Sequence, residues 1–138
     1  EAVVGQQKPV LGICVGMQML ARRSEEGREP GLGWIDADVT KVSFPAGTRR
    51  GLLPHMGWSA INPLGTEPLL AGLDADKGFY FLHSYRFVCN DAADVIATAD
   101  YGLQFHCAVR HGHVQGVQFH PEKSHQNGIR LLKNFAES

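Results

Sequence analysis

Two short segments carry residue types that could do covalent chemistry together. The first is Gly12-Ile13-Cys14-Val15-Gly16, a cysteine flanked at two positions either side by glycine. It has the form of a nucleophile elbow, in which a sharp strand-to-helix turn presents the nucleophile in a strained backbone. The spacing predicts that side chains at both glycine positions would collide with neighbouring elements, and that the following helix terminus favours a thiolate over a thiol. A buried structural cysteine beside packing glycines satisfies the same spacing. The second segment is Phe119-His120-Pro121-Glu122. A cysteine nucleophile needs a base within hydrogen-bond reach and a third group to orient that base. Residues i and i+2 of an extended segment point the same way, so Glu122 is placed to support the His120 imidazole, and Pro121 stiffens the connection. A lone His-x-Glu is common; beside a cysteine elbow it completes a candidate triad.

These residues need elements to hold them. Pro9 to Ile13 reads as a short strand buried on both faces, passing at Cys14 into a helix from Gly16 to Arg23 with Met17, Leu20 and Ala21 inward. Glu25 to Gly33 is a loop, and Ile35, Ala37 and Val39 alternate like a half-buried strand. Phe44 to Leu53 is turn-rich. Further strands are expected at Met56 to Ile61, Gly78 to His83 and Val95 to Ala99. Phe105 to Val109 and Val114 to Phe119 flank the turn Arg110-His111-Gly112-His113 as a hairpin. A last helix from about Ser124 to Ala136 is expected to turn Ile129, Leu132 and Phe135 or Ala136 inward. The pattern is α/β, a mixed sheet flanked by helices, in one domain over 1–138 without a linker.

Composition narrows the classes. The chain has 138 residues, 43% hydrophobic and 20% charged, ordinary for one globular domain. Thirteen Lys and Arg against fourteen Asp and Glu, net charge −1, argue against a polybasic nucleic-acid or membrane-surface binder. Three cysteines without a Cys-x-x-Cys argue against a disulfide framework or a cysteine zinc site and favour a reducing, cytoplasmic setting. The longest apolar stretch, Pro9 to Leu20, falls short of the ~20 residues of a spanning helix. No metal site or cofactor is expected: His111 and His113 read as a solvated turn, and His106 and His125 have no partner visible in sequence. Cys89 and Cys107 read as packing residues, and Trp34 and Trp58 as core aromatics.

Gly12-x-Cys14-x-Gly16-x-Gln18 with His120-Pro121-Glu122 resembles the class I, triad-type glutamine amidotransferases. Four further stretches resemble the glutaminase subunits of imidazole glycerol phosphate synthases, in histidine biosynthesis. These are Gly31-Leu32-Gly33-Trp34, Pro54-His55-Met56-Gly57-Trp58, Phe79 through Tyr85, and His120-Pro121-Glu122-Lys123-Ser124 with the helix from Gly128 to Phe135. The resemblance implies a flavodoxin-like fold, and Cys14, His120 and Glu122 as the triad. It also implies glutamine held by Gln18, Glu26 and the Ser84-Tyr85 backbone, with the Val15 N–H as an oxyanion donor. Lys123, Met56 and Trp58 are implied at the contact with a (β/α)₈-barrel synthase that receives the ammonia. Ser59 departs from the asparagine usual after Met-Gly-Trp, a detail expected to bear on the partner-facing surface. The family's N-terminal strands and glycine-rich oxyanion loop precede the nucleophile strand, and this span begins just before it, so an N-terminally truncated domain is expected. A paralogous amidotransferase serving surface-polysaccharide amidino sugars, a cysteine peptidase or γ-glutamyl hydrolase, and a catalytically silent interaction module are the alternatives.

Overall fold

A computed structural model of the chain describes residues 8–25, 30–42, 55–101 and 103–137. Its strands are β1 (Val10–Ile13), β2 (Arg23–Ser24), β3 (Ala37–Lys41), β4 (His55–Ser59), β5 (Asn62–Pro63), β6 (Phe79–His83), β7 (Tyr85–Cys89), β8 (Val95–Asp100), β9 (Gln104–His111) and β10 (Val114–Val117). The helices are α1 (Val15–Gln18) and α2 (His125–Ala136). The main sheet runs β1-β10-β9-β7-β3-β2, with β8 pairing β9 and β5 pairing β8, while β4 and β6 form a separate antiparallel pair. The sheet is mixed: β1 with β10 and β2 with β3 are parallel, the rest antiparallel. Sheet predominates over helix among the described residues.

The alternating residues behave as their pattern requires. Ile35, Ala37 and Val39 are buried against Met17, Leu20, Phe87 and Val109. A second cluster gathers Phe79, Phe81, Phe105, Phe119 and Leu131 where α2 and β6 meet the sheet. Phe79 stacks on Phe119 with centroids 3.9 Å apart, and Phe81 meets Phe119 edge-on at 5.7 Å, a favoured ring geometry. The hairpin forms with His111 paired to Val114, so its loop is only Gly112-His113, and Gly112 supplies the positive φ of 61° that a two-residue connection demands.

Four expectations are corrected. Among the described residues β1 pairs with β10 alone, and it is half-buried rather than covered on both faces. The first helix is a single turn, Val15–Gln18; Leu20 and Ala21 are still buried, but as irregular chain whose N–H groups bond Met17 and Gln18 carbonyls. Strand β7, joined to β6 through Ser84, has no counterpart among the expected strands. In α2 the inward face is Asn127, Gly128 and Leu131, with Phe135 packed half-buried against the core as expected, while Ile129 is 62% and Leu132 38% exposed. Hydrogen bonds choose that face. The Asn127 amide donates to the carbonyls of Asp74 and Gly78 and accepts from the Asp74 N–H, and Asn134 donates to Leu69 and Ala71. Gly128 lies so close to Pro121 that a Cβ would overlap its carbonyl. Turning Ile129 and Leu132 inward would break these bonds, at about 1–3 kcal/mol for each buried polar group left unpaired, and would undo the fit of Gly128 against Pro121. The expected loop Glu25 to Gly33 is irregular at residues 30–33. Residues 26–29 and the turn-rich Phe44 to Leu53 lie outside the described residues.

Candidate active site

Cys14 sits between β1 and α1 with φ 52° and ψ −106°, one of two non-glycine residues at positive φ among those described. A side-chain-bearing residue in that region costs of order 1–3 kcal/mol, so its surroundings must hold it there. They do so by backbone: the Cys14 N–H donates to the Val117 carbonyl at 2.8 Å, and the Cys14 carbonyl accepts from Gln18 N–H at 3.1 Å. Only one of the two flanking glycines is required by space. A Cβ on Gly12 would lie 2.7 Å from the Gly16 carbonyl oxygen and 2.8 Å from Met17 N, whereas a Cβ on Gly16 would meet nothing within 4 Å. The expected collision therefore holds at Gly12 and fails at Gly16.

A one-turn helix also has few peptide dipoles to align, which weakens the expected activation by the helix terminus. A side chain stands closer. Gln118, fully buried, points its amide Nε2 at Cys14 Sγ from 3.6 Å, and its Oε1 accepts from Gln18 Nε2 at 3.3 Å. Cys14 Sγ also approaches the Leu82 carbonyl at 3.7 Å. Cys14 itself is 8% exposed. The other cysteines pack, as expected. Burial, with Asp94, Asp91 and Asp36 nearby, pushes the Cys89 thiol up to about 12, and burial raises Cys107 further.

His120 reaches the same end of the sheet by register. Ile13 of β1 is paired in parallel with Val117 of β10, so the chain leaves both strands side by side at their carboxyl ends, where open α/β sheets hold their ligands. The His120 N–H donates to the Tyr80 carbonyl at 2.8 Å, and its own carbonyl accepts from Ser124 Oγ at 2.6 Å. The ring Nδ1 lies 2.7 Å from Glu122 Oε2, the i, i+2 contact expected from sequence. A carboxylate accepts, so Nδ1 carries a hydrogen and Nε2 is left for a reacting proton.

A cleft of about 270 Å³ opens at Cys14, lined by Val15, Gln18, Leu82, His83, Ser84 and Tyr85. Five sequence candidates therefore surround one space: Cys14, Val15, Gln18, Ser84 and Tyr85. Gln18 is turned into the protein, donating to Gln118 and, at 3.5 Å, to the Tyr85 carbonyl. Glu26 lies outside the described residues. A larger groove of about 580 Å³ beside α2, lined by Trp58, Lys77, His125 and Arg130 among others, holds no member of the candidate triad.

The chain matches the family description "Glutamine amidotransferase class-I" over residues 1–138. The chain belongs to the class I glutamine amidotransferases. Within that family it falls with subunits called HisH. It is 51% identical over 138 residues to the imidazole glycerol phosphate synthase subunit HisH of Bdellovibrio bacteriovorus, covering 99% of this chain and 68% of that protein. It is 48% identical to the subunit of the same name from Leptospira interrogans, covering 99% and 67%. The chain thus spans about two thirds of the length of these relatives. A glutamine amidotransferase structure from Thermotoga maritima superposes with TM-score 0.63 at 18% identity, covering 98% of this chain and 50% of that one. A GMP synthase homologue from Thermoplasma acidophilum gives 0.67 at 22%, covering 94% and 56%. The flavodoxin-like fold expected of class I glutamine amidotransferases is the fold observed.

The remaining amidotransferase candidates gather on one face. Met56 and Trp58, both expected at the partner contact and Trp58 also read as a core aromatic, are 62% and 48% exposed on the outer side of β4, so the core assignment of Trp58 is corrected. Trp58 stacks on His125 at 5.5 Å and meets the Tyr80 ring edge-on at 6.5 Å, and Lys123 Nζ stands 5.8 Å over that ring. Tyr80 ties this face to the site through its carbonyl bond from His120. Ser59 turns the other way, toward His55, and so does not belong to that face.

Sequence reasoning missed Gln118, His55 and His83. Gln118 gives no local signal, because its partners lie 100 and 104 residues away. His55 and His83 are buried opposite each other in the β4–β6 register, and burial pushes both down to about 4. His106 accepts from the Cys89 N–H, and His111, the last residue of β9 rather than part of the expected turn, pairs with Asp94 at 3.0 Å. Among the described residues no group of three His, Cys, Asp or Glu side chains is placed to hold a metal ion, and no helix is long and apolar enough to cross a membrane.

Proposed function

We propose that this chain releases ammonia from glutamine through Cys14, His120 and Glu122, as the glutaminase partner of an imidazole glycerol phosphate synthase in the cytoplasm. The observation that carries this reading is the placement of a strained Cys14 and a Glu122-oriented His120 at the carboxyl ends of two adjacent parallel strands. His120 takes the thiol proton, and the Cys14 sulfur attacks the side-chain amide carbon of glutamine. The tetrahedral intermediate collapses as the C–N bond breaks, His120 returns the proton to nitrogen, and ammonia leaves a γ-glutamyl thioester. Water, deprotonated by His120, then adds to the thioester, and glutamate and the free thiol result. Glu122 holds the ring and stabilises its charged form throughout.

The Val15 N–H, at the rim of the cleft, is suited to the developing oxyanion. Ser84 and Tyr85 supply backbone groups for the substrate's amino-acid end, with Gln18 bracing the Tyr85 carbonyl and Glu26 opposite the α-ammonium. The relatives' names point to a synthase that receives the ammonia, and a (β/α)₈ barrel docked over Met56, Trp58 and Lys123 would take it up beside the triad. Assay of the complete protein with its synthase partner tests this. Cys14→Ala abolishes glutamine-dependent synthesis and leaves ammonia-dependent synthesis intact. Equal loss of both activities would make Cys14 structural and sink the assignment.

A further inference from the structure

Three polar side chains behind the glutamine cleft form a chain that the proposed chemistry does not use. His83 Nδ1 lies 2.9 Å from the Tyr85 carbonyl, His83 Nε2 3.0 Å from His55 Nδ1, and His55 Nε2 2.9 Å from Ser59 Oγ. Both histidines are buried, at 2% and 6% exposure, among Phe81, Phe105 and the Tyr101 ring stacked on His55. Burial holds both well below the usual imidazole range, at about 4, with His120 adding repulsion on His83 and His83 on His55. Each ring is therefore neutral at neutral pH, with one N–H and one bare nitrogen.

That neutrality leaves a single arrangement of hydrogens. A carbonyl only accepts, so His83 Nδ1 carries the hydrogen that Tyr85 receives. Its Nε2 is then bare, and His55 Nδ1 must donate to it. His55 Nε2 is bare in turn, and the Ser59 hydroxyl must donate. The direction runs unbroken from Ser59 to Tyr85. It ends on the carbonyl that also accepts from Gln18, in the wall of the cleft beside Cys14. It begins on β4, the strand whose outer side exposes Met56 and Trp58.

We infer that Ser59, His55 and His83 are positioning residues, a one-way hydrogen-bond relay that sets the Ser84–Tyr85 wall for glutamine and ties it to the strand facing the synthase. The inference rests on the reading of that cleft as the glutamine site. Its ligand class is the amino-acid end of glutamine, and its effect falls on binding rather than on the chemical step.

Two measurements on the complete protein with its synthase partner test it. In long-range ¹H–¹⁵N spectra of histidine-labelled protein, both rings show Nδ1–H with bare Nε2 and do not titrate between pH 5.5 and 8. Ser59→Ala orphans a buried acceptor and raises the glutamine KM roughly tenfold with kcat little changed, and Ser59→Thr, which keeps the hydroxyl, restores it. An Nε2–H tautomer in either ring, titration near pH 6.5, or an unchanged KM in Ser59→Ala overturns the relay. Cys14→Ala run alongside separates the two failures. Loss of glutamine-dependent synthesis there with an unchanged Ser59→Ala KM defeats the relay alone, whereas retained glutamine-dependent synthesis defeats the site reading beneath it.

Discussion

The buried amide of Gln118 donates to Cys14 Sγ at 3.6 Å while its carbonyl oxygen accepts from Gln18. It is held in place at both ends, so the donor is aimed at the sulfur before any substrate arrives. A hydrogen bond to a charged group is worth about 1.5–3 kcal/mol, more than a neutral one, so the contact favours the thiolate. Gln118→Met keeps the volume and removes the donor. Alkylation of Cys14 by iodoacetamide at pH 7 then slows roughly fivefold to tenfold, with Cys89 and Cys107 unlabelled in both proteins. An unchanged rate would leave the amide with a packing role only.

The two glycines around Cys14 are not equivalent. Gly12→Ala drives a methyl into the Gly16 carbonyl and Met17 nitrogen, both backbone atoms that cannot rotate away. Overpacking of this kind costs about 1–3 kcal/mol, and here it displaces Cys14 directly. Gly16→Ala meets open space inside a helical turn and stabilises by up to about 1 kcal/mol. Thermal melts of the two variants should move in opposite directions; equal destabilisation would contradict the geometry.

Lys123 follows Glu122, the glutamate of the proposed triad, and stands over Tyr80, whose carbonyl holds the His120 backbone. Exposed cation–π contacts are worth about 0.5–1 kcal/mol, so its loss leaves the fold intact. Lys123→Ala is expected to raise the Kd for the synthase partner roughly threefold to tenfold, an effect that shrinks as salt is added, as for one rim charge. Unchanged affinity and unchanged stimulation of glutaminase turnover by synthase ligands would return it to an ordinary surface lysine.

The neutral His55–His83 pair makes stability depend on pH. Both rings stay unprotonated in the folded state down to about pH 4, whereas in the unfolded chain they take up protons near 6.5. Between those values the unfolded state binds more protons, so stability rises with pH across that window and levels off above it. Each ring contributes a slope of at most about 1.4 kcal/mol per pH unit. Urea midpoints measured from pH 4 to 7 should climb, and a double His55→Gln, His83→Gln variant should show a flatter profile. Midpoints that fall with rising pH would mean the rings are protonated in the fold.

What could be read along the chain was whatever depends on covalent neighbours. Cys14 between strand and turn, Glu122 two residues past His120, and Gly112 in the hairpin are relations between near neighbours along the backbone, and local geometry forces them. Alternation likewise placed Ile35, Ala37 and Val39, because a strand has only two faces. The tertiary structure alone decided which distant groups meet. Gln118 reaches Cys14 only because β10 lies parallel to β1 in a register set by strand order, and His55 meets His83 only because β4 pairs with β6. It also decided the inward face of α2, where apolar periodicity pointed to Ile129 and Leu132. There the carbonyls of Asp74, Gly78, Leu69 and Ala71 needed donors, and Asn127 and Asn134 supplied them. A buried carbonyl such as that of Gly78 costs about 1–3 kcal/mol when left without a donor, and no pattern within the helix records where those carbonyls lie.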